Sequence, residues 1–307
     1  MAGSRALLAG VELGGTKCVC ILGTGPEDIR AQVRVQTRHS ESTLAEIAAV
    51  LDSWRTQYGT PEGLGIACFG PLDLRAGSRT FGRVIASAKP GWDGADVLGQ
   101  LSQGRSVPAE ISTDVNAAAL AEGRWGAARG LEDFAYVTVG TGIGVGLIVA
   151  GQTVLGCNHP ELGHVRIVRA RGDTWSGHCP YHGDCLEGLA SGPAIAARTG
   201  VAPGDLDPAD PAWELVAHAL GQLAHTLVLA TAPQRILFGG GVVQGRPELL
   251  ARVREHLVGS LNGYLRIDEV TRGIGEYIVP PGLGALAGPL GALALAADAA
   301  QRSPAAA

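Results

Sequence analysis

The residues of this chain best suited to hold a metal lie in two short segments, His159-Pro160-Glu161-Leu162-Gly163-His164 and His178-Cys179-Pro180-Tyr181-His182-Gly183-Asp184-Cys185-Leu186-Glu187. Four of the eight histidines and two of the six cysteines fall there, which sets the region apart from an ordinary polar loop. Cys179, His182 and Cys185 recur every third residue around prolyl and glycyl turns, so soft sulfur and imidazole donors can converge on a tetrahedral zinc ion. His164 is the natural fourth ligand, and His178, beside Cys179, competes for a place. Four protein ligands leave no open position for a catalytic water, so the expected zinc is structural.

Asp114 is the second candidate, in Ser112-Thr113-Asp114-Val115-Asn116, where a strand end runs into an Ala-rich helix. Its plain reading is an N-cap that accepts backbone N–H bonds. Its functional reading is a general base. A helix start holds a carboxylate rigidly and lowers its pKa, which makes a weak base for an alcohol. Phosphoryl transfer tolerates that weakness, because its loose transition state asks mainly for an aligned hydroxyl.

Two glycine turns, Gly14-Gly15-Thr16-Lys17 and Thr138 to Gly146, could cradle phosphate oxygens, since glycine lets a backbone N–H approach closely. Each alone reads first as a tight hairpin. Neither is a Walker loop, and Gly140-Thr141-Gly142-Ile143-Gly144 lies between two strands where a dinucleotide-binding turn would open a helix.

The elements that must position these groups alternate along the chain. Strands are expected at Ala6 to Leu13, Lys17 to Leu22 and Ala31 to Gln36, an antiparallel start. Thr43-Leu44-Ala45-Glu46 has the capping-box spacing, and Leu44, Ile47, Leu51, Trp54 and Tyr58 follow at helical intervals, predicting about four turns. A strand at Leu64 to Phe69 and a short helix at Asp93 to Leu101 come next. From Phe134 the plan of strand, glycine turn and strand starts again, with helices at Pro211 to Ala230 and Pro247 to Tyr264 flanking a strand at Arg235 to Phe238. Two lobes are therefore expected, with a nucleotide between them. The small, Ala-rich tail at 303–307 is expected to fray.

Composition bounds the function. The 307 residues are 46% hydrophobic and 17% charged, with a net charge of −5 and no basic run, so neither nucleic acid nor an anionic membrane is an expected partner. The amino terminus lacks a secretory pattern and no apolar stretch approaches ~20 residues, which predicts a cytoplasmic protein whose thiols are free or metal-bound.

Taken in order, Gly-Gly-Thr-Lys, Asp-Val-Asn-Ala-Ala-Ala-Leu, Gly-Thr-Gly-Ile-Gly-Val-Gly, Glu-x-Gly-His, the Cys/His cluster ending Cys-Leu-Glu, and Phe-Gly-Gly-Gly-Val resemble the ROK family of bacterial sugar kinases and repressors, from about Val11 to Val243. The resemblance implies an α/β, actin-like (hexokinase-like) fold of two lobes around a central cleft where ATP, magnesium and sugar meet, the first lobe being 1–113 completed by a terminal helix within 284–307 and the second 114–283. It places the catalytic base on Asp114 and sugar contacts on Thr113, Glu161, His164 and Glu187, with His164 also ligating zinc. It assigns Gly14, Gly15, Thr16 and Lys17 to the first phosphate loop, Thr141, Gly142 and Gly144 to the second, and Gly239, Gly240 and Gly241 to the adenosine side. Most of the family has Asp where this chain has Glu12, and Asn where it has Thr113, so magnesium and sugar geometry are open at those two positions. Glu12 together with Cys-x-x-His-x-x-Cys resembles the fructokinase subgroup. That implies transfer from ATP to the 6-hydroxyl of fructose, with glucose, mannose or an N-acetylated amino sugar as alternatives. A silent sugar sensor is the reading of another class. The first phosphate loop begins at Gly14, so no amino-terminal helix-turn-helix domain is expected, and the family expectation is a homodimer. Zinc is expected to act on the sugar contacts, with little direct effect on phosphate chemistry.

Overall fold

The structure is a computed structural model that describes residues 6–87, 89–265 and 267–302; the tail at 303–307 lies outside them. Its core is two five-stranded sheets, each packed within its own compact unit. The first sheet holds β1 (Leu8–Leu13), β2 (Lys17–Gly25), β3 (Asp28–Gln36), β4 (Gly63–Cys68) and β5 (Ala109–Thr113) in the order β3-β2-β1-β4-β5. Strands β1, β2 and β3 pair antiparallel, whereas β4 lies parallel to both β1 and β5. Every residue of β4 is buried, but β3 alternates exposed with less exposed positions, as an edge strand with one wet face should.

Helix α1 (Ser40–Tyr58) buries Leu44, Ile47, Leu51 and Trp54, the stripe its spacing predicts. The capping box at Thr43 is not formed. The helix already begins at Ser40, and the Thr43 hydroxyl accepts the Arg38 N–H at 2.9 Å, while its own N–H donates to the His39 carbonyl. Helix α2 (Val97–Ser102) starts later than expected because Asp96 caps it, accepting the Gly99 N–H. Helix α3 (Asp114–Trp125) follows β5 without a break.

In the second unit β6 (Phe134–Val139), β7 (Ile143–Val149), β8 (Gln152–Thr153), β9 (Arg235–Gly239) and β10 (Ile278–Val279) take the order β10-β9-β6-β7-β8. Antiparallel β6-β7-β8 and parallel β6-β9-β10 reproduce the first sheet's plan. Around this sheet lie α4 (Leu186–Ala190), α5 (Gly192–Thr199), α6 (Ala212–Thr231), α7 (Gly241–Gln244), α8 (Leu249–Leu261), α9 (Asp268–Thr271) and α10 (Ile274–Tyr277). Its core joins Val137, Val145, Leu220, Leu223, Phe238 and Val253.

The terminal helix α11 (Ala287–Arg302) packs back on the first unit. It comes so near that a Cβ on Gly65 of β4 would collide with its Ala292 carbonyl, and one on Gly291 with the Ala117 backbone of α3. Arg124 at the end of α3 donates to the Ala294 carbonyl at 2.9 Å and pairs with Asp298. These contacts correct the boundary expected after Thr113. The first unit runs through Trp125 and takes Leu155–His159 and the chain from Ala285; the second is Gly126–Val154 and Pro160–Gly284. The Leu155–His159 segment belongs to the first because Asn158 Nδ2 donates to the Leu72 carbonyl at 2.7 Å, and the Leu72 N–H donates to His159 Nε2 at 3.0 Å. Among the described residues no helix is long and apolar enough to cross a membrane.

Candidate functional site

In the first unit, parallel register aligns Leu13 with Cys68 and Cys68 with Thr113, so the carboxyl ends of β1, β4 and β5 form one edge. Parallel sheets bind ligands at such edges. Glu12, the Gly14–Lys17 turn, Thr113 and Asp114 all sit there. Within the turn the Gly14 N–H donates to the Lys17 carbonyl at 3.1 Å, and the Thr37 hydroxyl donates to the Gly14 carbonyl at 2.8 Å. Sequence reasoning missed Lys89, whose ammonium donates to the Gly15 carbonyl and lies 5.9 Å from the Phe69 ring centroid, adding a second cation to a turn that already bears Lys17. No local signal marks a residue so far along the chain.

The N-cap expected at Asp114 is one residue earlier. Thr113 Oγ1 accepts the Asn116 N–H at 3.2 Å, whereas Asp114 Oδ1 accepts the N–H of its neighbour Val115 at 2.9 Å. The weak base expected at the helix start is also corrected. Burial pushes the Asp114 carboxyl up to about 6, outweighing the backbone N–H bonds that pull it down. Glu12 rises further, to about 7, first through burial and then through the like charge of Asp114, with Lys17 opposing both. Two carboxylates that repel each other in a poorly solvated corner are the arrangement expected where a proton acceptor and a cation-binding group stand side by side. Asn116, buried on the same turn, leaves its Nδ2 without a partner.

In the second unit, β6 pairs Thr138 with Gly239, which aligns the Gly140–Gly142 turn with the Gly239-Gly240-Gly241 turn at one sheet edge. Gly240 turns the chain from β9 into α7 at φ 86°, where a side chain would be strained and its Cβ would meet the Val139 backbone. Glu187, one residue into α4, reaches back to the first of these turns and accepts the Ile143 N–H on Oε2 at 2.9 Å. Gly144 follows in β7, and Thr141 stands exposed at the turn.

His164, Cys179, His182 and Cys185 converge, with one donor atom from each lying within 4.8 Å of all the others. His178 lies outside this group, its N–H donating to the Gly188 carbonyl. The separations are His164 Nδ1 to His182 Nδ1 3.3 Å, Cys179 Sγ to His164 Nδ1 3.6 Å, Cys179 Sγ to His182 Nδ1 3.7 Å, and Cys185 Sγ to His164 Nδ1 3.5 Å. A tetrahedral ion with Zn–N and Zn–S bonds of about 2.05 and 2.3 Å requires edges of about 3.3 Å between nitrogens and about 3.6 Å between nitrogen and sulfur. The donors thus fit a tetrahedral metal. On its far side His164 turns Nε2 toward Glu187 Oε1, 3.9 Å away, a carboxylate partner of the kind that orients metal-bound imidazoles. Glu161 begins the 3-10 turn Leu162–His164, and its carbonyl accepts the His164 N–H at 3.0 Å.

Comparison with known proteins identifies the family. The fructokinase of Zymomonas mobilis is 40% identical over 96% of this chain and 98% of its own, and the fructokinase of Pediococcus pentosaceus is 37% identical over 94% and 97%. The crystal structure of a ROK family glucokinase from Streptomyces griseus, in complex with glucose and AMPPNP, superposes with a TM-score of 0.73 at 26% identity, covering 95% of this chain and 99% of that one. The fold is therefore the actin-like ATPase fold of the ROK sugar kinases. The ROK family profile matches residues 8–299, and the chain belongs to the ROK family.

Proposed function

We propose that this protein is an ATP-dependent hexose kinase that transfers the γ-phosphoryl group to the 6-hydroxyl of fructose. The similarity to fructokinases along nearly the whole chain supports the substrate, and the environment of Asp114 carries the chemistry. A carboxyl at about 6 is ionised at neutral pH yet more basic than an ordinary aspartate, so it can align the sugar hydroxyl and accept its proton late in transfer. Thr113, Glu161, His164 and Glu187 are the sugar contacts in this reading. Gly14, Gly15, Thr16 and Lys17, then Thr141, Gly142 and Gly144, hold the phosphates, while Gly239, Gly240 and Gly241 face the adenosine.

Glu12 would hold magnesium, which supplies charge neutralisation on the phosphates. The four Cys/His donors would hold a structural zinc, which supplies rigidity to the segment bearing His164 and Glu187 and leaves no open coordination position. A cytoplasmic homodimer is the corresponding cellular form.

The test is ADP release with Mg·ATP and a panel of fructose, glucose, mannose, N-acetylmannosamine and no sugar. Fructose should give the highest kcat/KM, and Asp114→Asn should lower kcat by roughly 10²–10⁴-fold. A preference for another hexose would keep the kinase and remove fructose. Sugar binding without turnover on any of them would make the chain a sensor.

A further inference from the structure

The second phosphate turn is held by elements that also carry the metal donors. The N–H of Ile143, just after the turn, is accepted by Glu187 Oε2, and the same oxygen stands 2.7 Å from where a Cβ on Gly142 would project, so a side chain there would displace the Glu187 carboxylate. At the following peptide, a Cβ on Gly163 would collide with the Ile143 carbonyl, so the two backbones lie in close contact. The turn's other end is fixed as well, since the Gly140 carbonyl accepts the Gly192 N–H at 2.7 Å where α5 begins. Glu187 thus holds Ile143 by a hydrogen bond to its N–H, and Gly163 packs closely against its carbonyl.

Both jaws of this grip border metal donors. Gly163 precedes His164, and Glu187 follows Cys185 by two residues. They are tied to each other because the Leu186 N–H donates to the Val165 carbonyl at 3.0 Å. The loop with Cys179 is tied to α4 in turn. The His178 N–H donates to the Gly188 carbonyl at 2.9 Å, and a Cβ on Gly188 would collide with the Gly183 carbonyl.

We infer that Glu187 and Gly163 are positioning residues for the second phosphate turn, and that loading the Cys/His cluster with metal tightens nucleotide binding through them. A metal bound there fixes His164 relative to Cys185, and with them the spacing of the two jaws. Without it, the N–H groups of the turn lose the preorganisation on which phosphate affinity depends. The effect reaches the phosphate side and so goes beyond the sugar contacts to which zinc was expected to be confined. This rests on the kinase reading, which makes Gly140–Gly142 a nucleotide turn.

The experiment is calorimetric titration of the full chain with ADP in the absence of sugar, which removes any contribution of Glu187 to sugar binding. Metal-stripped protein, shown by circular dichroism to remain folded, should bind ADP about tenfold more weakly and regain affinity with added zinc. Gly163→Ala, with metal content confirmed by mass spectrometry, should show a similar loss. Glu187→Asp, too short to reach Ile143, should lose affinity, whereas Glu187→Gln, whose amide oxygen still accepts the Ile143 N–H, should stay within about threefold of the parent. A merely structural role would not separate Asp from Gln in this way. If Gly163→Ala fails to fold, the Glu187 pair decides. Parent-like ADP affinity in both Gly163→Ala and Glu187→Asp overturns the inference while fructose turnover by the parent stands. Failure of the parent to bind any nucleotide overturns both readings.

Discussion

Glu12 and Asp114 are the residues whose surroundings work hardest against them. Both carboxyls are raised by burial, to about 7 and about 6, and Glu12 rises also because it faces the charge of Asp114. A carboxyl whose folded pKa lies above its unfolded value binds its proton more tightly in the fold. Its contribution to stability is therefore complete at pH below the ordinary carboxylate range and is lost as pH rises through the folded value. For Glu12 that window runs from the ordinary glutamate value of 4.5 to about 7. Glu12→Gln keeps the shape and removes the charge. In nucleotide-free, magnesium-free protein it should melt with the parent at pH 5 and roughly 3–6 °C above it at pH 8.5. A pH-independent difference would dissociate Glu12 from this penalty. At this scale the convergence of the four Cys and His side chains was legible in the sequence because three of the four lie within one short loop. The N-cap was not, since Thr113 and Asp114 are both good caps and only the hydrogen bond to Asn116 decides between them. Nor was the Glu187–Ile143 bond, which joins residues 44 apart.

Among the elements, α11 is the one on which the Asp114 edge rests. Strand glycines let its backbone approach β4, and its own Gly291 lets it approach α3, the helix that begins at Asp114. Gly291→Ala should push α3 outward, costing about 1–3 kcal/mol and lowering kcat more than it raises the KM for ATP. The control is Gly259→Ala in α8, where a Cβ meets nothing within 4 Å and the backbone is already helical; it should stabilise by about 0.5–1 kcal/mol. Thermal denaturation and steady-state kinetics on the two variants check both signs, and a neutral Gly291→Ala would mean that α3 does not depend on this close approach. The long helices α1, α6 and α8 could be read from the residues themselves, whereas α11 was expected from the family resemblance. The two-residue strands β8 and β10 and the single-turn helices α7, α9 and α10 could not, because one turn or two residues carry no period. The capping box at Thr43 failed for a different reason. The apolar stripe begins at Leu44, but Ser40 is already helical, buried, and bonded to the Gly91 carbonyl, a contact from far along the chain that extends the helix backwards.

At the scale of the whole molecule, the repeated strand-turn-strand plan was visible in sequence, and two sheets of like order follow from it. The division between units was not visible, because α3 is assigned by what it packs on and α11 lies at the other end of the chain. That division would make loss of a bound metal a regional event. All four donors belong to the second unit, and the segments they tie run from Leu162 to Ser191, whereas the first unit's core of Val11, Ile66, Leu44 and Trp92 holds none of them. Metal binding stabilises the fold that supplies its ligands, so removal should open those segments first. Hydrogen exchange before and after chelation should show faster exchange of the amides of His164, Cys179, Gly183 and Leu186, all hydrogen-bonded in the structure. The amides of β1 and β4 should keep their protection. Exchange that rose equally in both units would mean that the metal supports the molecule as a single cooperative body. Unchanged exchange around Cys179 and His164 would mean that hydrogen bonds such as Cys179–Gly183 hold the loop closed without an ion.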